Sequence, residues 1–404
     1  MEVRSGTMKV ISVIIMLVAI SLPVSAGEPL NPPAYPDEFG YIPNANEHGL
    51  LILSGSDSFY FPNDLFALES QDDQNFTYGM AWNWSNELAN RHLLYMNCFS
   101  KLLRKSGWFN EEFDETKGLQ IGLVAFTPDD LKETEIITTD RPYSSLVYAT
   151  TSSAMNKKNE YSIETSLTLA LAGTRLPGAL QSGWHDIYRE LDDTPDGEPY
   201  KPMGWRNQIS NGTELTGKLT GRYTEFLNKG DNYDVTAFSE LNLGYDTSIV
   251  FGAQVRIGEI REIRYASQAG YDSNGSGADK LQKEPRYIQP SKPEEVAEEI
   301  AEVDKKVPVR MREEFFFAGF KTNFVAYNGL LQGLSGTNKF DLNENQIEKV
   351  VHEAYIGFEY PISKVFKNGQ YTSVKYVAHA RTAEHKLADK RTHYWGEFVF
   401  TYQR

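Results

Sequence analysis

The chain of 404 residues contains one cysteine, Cys98, so no intrachain disulfide can staple the fold. Basic charge is also scarce: 40 Lys+Arg stand against 55 Asp+Glu, a formal net charge of −15 at pH 7. That balance excludes nucleic acid as a general partner, because neutralising phosphates takes a basic surface. Long apolar runs are missing as well. VISVIIMLVAISL, the single candidate, has 13 residues, short of the about 20 that a spanning helix needs. Several hydrolase signatures are absent. There is no G-x-S-x-G elbow, no Walker loop and no dinucleotide fingerprint, and His352-Glu353 is followed by Ile356 where a zinc motif requires histidine.

The short apolar run has a different reading. Arg4 and Lys9 precede it and Pro23-Val24-Ser25-Ala26 follows, the basic, apolar and small-residue order of a secretory signal peptide over residues 1–26. An exported chain of residues 27–404 would then fold without disulfides. Cys98 lies too far from the cleavage position to carry a lipid anchor.

What the sequence has in plenty is aromatics, 23 Tyr and 22 Phe, and alternation at period two. In SIVFGAQVRIG, Ile249, Phe251, Ala253, Val255 and Ile257 fall on one face, with Gly252, Gln254 and Arg256 on the other. LTGKLTGRYTEF sets Leu215, Leu219 and Tyr223 against Lys218, Thr220 and Arg222. VKYVAHART sets Val374, Tyr376, Ala378 and Ala380 against Lys375, His379 and Arg381. Such strands suit a soluble sandwich, apolar face inward, or an outer-membrane barrel, apolar face to lipid and polar face to the lumen. The export signal, the strand lengths and the aromatics near strand ends favour the barrel.

A pass along the chain predicts an all-β fold, a 12-stranded antiparallel transmembrane β-barrel with helical segments in its loops. The strands fall near 55–63, 76–84, 119–127, 144–152, 160–171, 214–227, 234–243, 248–259, 313–327, 348–360, 371–383 and 393–403. Residues 86–106 carry helical spacing (Leu88, His92, Tyr95, Phe99, Leu102) that suits a short amphipathic helix. Residues 268–312 read as a charged insertion with a short helix in SKPEEVAEEIAEVDKK. With the N-terminus inside, links 64–76, 128–143 and 172–213 emerge together on the outer face.

Polar residues gather at that rim. Asn63 and Asp64 end the first strand, Thr77 opens the second, Asp140-Arg141-Pro142-Tyr143 leads into the fourth, and a helix in the fifth link presents His185. Each has a plain explanation: Asn-Asp as turn residues, Thr77 as strand propensity, His185 as a packed loop residue, Arg141 as a loop anchor.

Taken together, FPNDLFA, FTYGMAW, TPDDLKETEIITTDRPYSS, the helix GALQSGWHDIYREL, GWRNQI, EEFFFAGFKTNFVAYNGLLQG and HARTAEHKL occur in an order that resembles the outer-membrane lipid A 3'-O-deacylases, the LpxR-type family. The resemblance spans about residues 56–404, apart from the 86–106 link and the 268–312 insertion. It implies a monomeric outer-membrane esterase that removes an ester-linked 3'-acyloxyacyl chain from lipid A, the glycolipid of lipopolysaccharide, with calcium as cofactor. By position, His185 would be the general base on water, Asp64 a calcium ligand, and Asn63 and Thr77 groups that orient the base or stabilise the oxyanion. Lys132 is the nearest counterpart of a family lysine and, with Arg141, would contact the substrate, although its spacing to Asp140 is shorter here. Two rivals stand beside this reading: a non-enzymatic pore or scaffold barrel, and an outer-membrane phospholipase.

Overall fold

The structure, a computed structural model, describes residues 55–63, 75–86, 105, 114–157, 160–191, 202–260, 314–335, 338–362, 371–388 and 392–403. The signal segment 1–26, the insertion 268–312 and nearly all of the 86–106 link lie outside these.

Among the described residues twelve strands form one sheet: β1 Gly55–Asn63, β2 Asn75–Asn86, β3 Asp114–Thr127, β4 Ser144–Lys157, β5 Tyr161–Ala172 and β6 Glu214–Lys229. The second half comprises β7 Tyr233–Gly244, β8 Asp246–Glu259, β9 Glu314–Asn328, β10 Val350–Pro361, β11 Tyr371–Arg381 and β12 His393–Gln403. Each pairs antiparallel with its sequence neighbours, and β1 closes on β12 through Ser56↔Gln403 to Asn63↔Gly396, so the sheet is a closed barrel without free edges. The helix α1, Arg175–Leu191, and the one-turn α2, Gly329–Gln332, lie in links between strands.

The burial pattern decides between sandwich and barrel. Between the paired end residues Glu259 and Glu314, the exposed side chains of β8 and β9 are apolar, among them Ile249, Phe251, Ile257, Phe316, Phe320 and Phe324, while Arg256 and Lys321 are buried. A soluble sheet would present the reverse, because apolar area is driven from water. An outer wall of Phe, Ile and Leu around a charged interior is the pattern of a barrel standing in lipid.

The interior is packed rather than empty. Ala81, Val124, Phe126, Leu146, Tyr148, Ala170, Trp395 and Val399 cluster inside, with Leu330 of α2 among them. The interior also holds a polar space beside this cluster, sharing Tyr245 and Leu330 with it and lined by Lys218, Arg222, Glu240, Lys321, Glu353 and Arg381 among others. Its charges are paired across strands. Arg256 donates to both Asp234 oxygens at 2.7–3.2 Å, and Glu353 accepts from Arg381 Nε at 2.7 Å. Glu353 also lies 3.3 Å from Lys321 Nζ and 3.1 Å from His379 Nδ1. His379 in turn stacks on Trp395, ring centroids 4.6 Å apart. Its place and that of Arg381 in the lumen follow from the alternation of β11.

The turn at 230–232 joins β6 and β7 at the end where β1 begins and β12 ends, the periplasmic end in the usual orientation of such barrels. The described parts of the links after β3, β5, β9 and β11 lie at the other, outer end.

Candidate active site at the outer rim

At the outer end of β2 the register breaks. Phe76 pairs with Phe126 but Tyr78 pairs with Ala125, leaving Thr77 as the extra residue of a β-bulge. Bulges re-aim a side chain where a ladder ends. Here Thr77 is 1% exposed and its hydroxyl lies 2.8 Å from that of Thr127. On the other side of β2, Asn63 is the register partner of Tyr78, so positions 63 and 77 are near neighbours at the rim. The side chain of Asn63 and the whole of Asp64 fall outside the described residues.

Which side of the wall this is follows from parity. Tyr78, Met80 and Trp82 share a face of β2, and they meet Ala125, Leu123 and Ile121 of β3 in register. Lower on the wall that face is open, with Trp82 and Ile121 45% and 49% exposed. At the rim Tyr78, Leu123 and Ala125 are buried, with Val147 and Trp205 packed against them. They are buried on the lipid side, beneath the 173–213 link.

That link is fastened by specific bonds. Tyr78 Oη donates to the carbonyl of Pro177 in the first turn of α1. One turn on, Gln181 Oε1 accepts from Trp205 Nε1 at 2.8 Å. Trp205 sits in the 3₁₀ turn Gly204–Asn207 and meets Tyr143 edge-on, centroids 5.1 Å apart. Gly178 is required beneath the indole, since a Cβ there would come within 2.8 Å of Trp205 Cγ. Gly173, at φ +68°, starts the link in the left-handed region, against the Ser210 carbonyl. Position 185 is four residues on from Gln181 and eight from Pro177, the i, i+4, i+8 series of a single helical stripe. The backbone of α1 includes position 185; the imidazole lies outside the described residues.

The 128–143 link straddles the wall. Tyr143 turns out toward Trp205, while Asp140 and Arg141 turn in. The Asp140 carboxylate accepts from the backbone N–H of Asp129 at 2.9 Å and of Arg141 at 2.6 Å, and lies 3.4 Å from His385 Nε2. Burial raises its pKa, but the bonds from His385 and the two amides outweigh this and hold it below the ordinary value. Arg141 is 1% exposed, 3.4 Å from Glu384 and 4.4 Å over the Phe126 ring. These contacts fasten the link to the inner wall. Lys132 stays exposed on the link, its backbone N–H donating to Asp130 Oδ1 at 2.9 Å.

Among the described residues no three His, Cys, Asp or Glu side chains gather to hold a metal. Thr77 and Thr127 bring two hydroxyl oxygens together at the rim. The sequence reading missed Tyr78, Gln181 and Trp205, which fasten the histidine-bearing helix; their partners are distant in sequence, and only register and parity bring them together.

A closed antiparallel cylinder of strands with an apolar outer wall and a charged interior defines an outer-membrane β-barrel protein. The chain belongs to the outer membrane protein LpxR family, whose model matches residues 14–404. Among solved structures it is similar to LpxR from Salmonella typhimurium, at 14% identity and TM-score 0.54, covering 86% of this chain and 100% of that one. This likeness is one of fold. The beta domain of the Bordetella autotransporter BrkA follows at 7% identity and TM-score 0.36, covering 87% of this chain and 100% of that one. No curated protein sequence matches.

Proposed function

We propose that this protein is an outer-membrane lipid A 3'-O-deacylase, an esterase that hydrolyses the ester-linked 3'-acyloxyacyl chain of lipid A. Family membership supports the reaction class. The observation that carries the site is the docking of α1 on the lipid side of the wall, by Tyr78 to Pro177, beside the bulge at Thr77. An esterase acting on a lipid needs its groups where acyl chains arrive, and a lumen-facing site would not meet them.

In this reading His185 takes the proton from water as the oxygen attacks the ester carbonyl, then returns it to the sugar oxygen as the ester C–O bond breaks and the fatty acid leaves. Imidazole, with an unperturbed pKa near 6.5, suits that step at neutral pH. The Thr77 hydroxyl and the Asn63 amide orient the base or donate to the oxyanion. Asp64 would hold calcium, which when bound supplies positive charge where the ester oxygen gains negative charge. Lys132, exposed on the neighbouring link, would contact the anionic head group.

The test is expression in a lipopolysaccharide-bearing host with lipid A analysed by mass spectrometry. Wild type should shift lipid A to fewer acyl chains. His185→Ala should lower the rate by at least about 10²-fold, the usual contribution of a general base. Asp64→Ala and calcium chelation should each abolish the shift. Phospholipids losing chains while lipid A stays intact would make the protein a phospholipase. Unchanged lipids with ion conductance in planar bilayers would make it a pore.

A further inference from the structure

Helix α1 is inside out. In an ordinary surface helix the apolar stripe faces the protein and the polar stripe faces water. Along Arg175–Gly183 of α1 the buried positions are Pro177, Gly178 and Gln181, and the last spends its side chain on Trp205. The leucines face away: Leu176 is 48% and Leu180 39% exposed, with Ala179 and Gly183 exposed between and beyond them. Spaced by four, they form a stripe on the side opposite the wall.

That stripe continues a surface already in contact with lipid. Leu169 and Leu171, the outward residues at the end of β5, are 56% and 41% exposed, and Leu171 is the register partner of Leu215, 72% exposed. Only the turn at Gly173 separates Leu171 from the start of α1. Beneath the helix the wall's own lipid-facing residues, Tyr78, Leu123 and Ala125, are covered. The helix has taken the place of lipid against the wall and presents its leucines in their stead.

We infer that α1 lies in the outer leaflet as an interfacial helix, the Leu176–Leu180 stripe immersed among acyl chains. An amphipathic helix at this depth buries its apolar face at the head-group boundary. Arg175, exposed beside the stripe, can reach up to the phosphates while its stem stays in the apolar layer. The partner of this face is the lipid itself. The inference rests on the barrel's membrane placement and the seating of α1, not on the reaction.

The test uses the full chain in a Cys98→Ser background, reconstituted in phospholipid vesicles. An environment-sensitive nitrobenzoxadiazole label is placed at Leu180→Cys, at Leu176→Cys, and, as a water-exposed reference, at Glu133→Cys. The labels at 176 and 180 should emit further to the blue than the label at 133. Lipids bearing a nitroxide on the acyl chain should quench them and leave the reference bright. Water-like emission with no nitroxide quenching at both helix positions would overturn the inference. So would blue emission that is lost on dilution of protein among vesicles without nitroxide quenching, since a second copy of the chain would then cover the stripe. Neither readout depends on hydrolysis, so a failure here and a failure to deacylate lipid A are told apart.

Discussion

Replacing Glu353 by glutamine tests whether the barrel interior is held by paired charges. The Glu353 carboxylate is the meeting point of β9, β10 and β11. One oxygen lies 2.6 Å from Arg381 Nη2 and 3.3 Å from Lys321 Nζ, and the other lies 3.1 Å from His379 Nδ1. Its side chain is 1% exposed, so water offers little replacement. Glutamine keeps the shape and a carbonyl oxygen for the cations but loses the negative charge, leaving one positive charge uncompensated. Breaking a buried pair from one side costs about 3–5 kcal/mol. Arg381 retains Glu384 at 3.3 Å, which places the expectation near the lower end, about 3 kcal/mol or roughly a hundredfold in the unfolding equilibrium. The assay is urea unfolding of protein folded in lipid vesicles, followed by tryptophan fluorescence and by heat-modifiable migration on gels. Glu353→Gln/Arg381→Met, which removes both charges, should cost less than the sum of its parts. A single-variant cost below about 1 kcal/mol, or strictly additive costs, would refute the claim that these charges stabilise the lumen as a network.

Other outcomes follow from the rim. Tyr78→Phe removes the donor to the Pro177 carbonyl, a loss of about 1 kcal/mol; deacylation of lipid A should slow while heat-modifiable migration stays as in wild type. Asp140 has its pKa depressed in the folded state, so its contribution is fully present above the unfolded carboxylate value and fades as pH falls through the folded one. Asp140→Asn should therefore be less stable than wild type at neutral pH, with the two urea midpoints converging in strong acid. Gly173→Ala places a Cβ 1.9 Å from the Ser210 carbonyl oxygen at φ +68°, and should destabilise by more than about 1 kcal/mol, read as a lower urea midpoint.

Much of the architecture was legible in the sequence because a lipid-facing wall imposes the simplest of patterns. SIVFGAQVRIG and VKYVAHART alternate with only Val250 and Val377 breaking the polar face, and β8 and β11 lie where that alternation places them. The ends were less legible. Strand β3 begins at Asp114 rather than near 119, and β4 runs on to Lys157, because DETKG and SAMNK carry no apolar face outside the membrane. Ladder bonds alone extend them. The helix 175–191 was visible in GALQSGWHDIYREL, but not which of its faces meets protein, since exposed leucines look like core to any rule written for water. Arg141 shows the same limit. Its partner Glu384 is 243 positions away, a pairing that only closure of the barrel brings about.

The seam between first and last strands bears on how such a protein is made. Position 63 sits on β1, whose far neighbour is Gly396 of β12. During synthesis that flank waits, unpaired, for the final residues of the chain. A rim assembled this way is complete only when the cylinder shuts, so on the proposed reading no finished site exists in transit across the cell envelope.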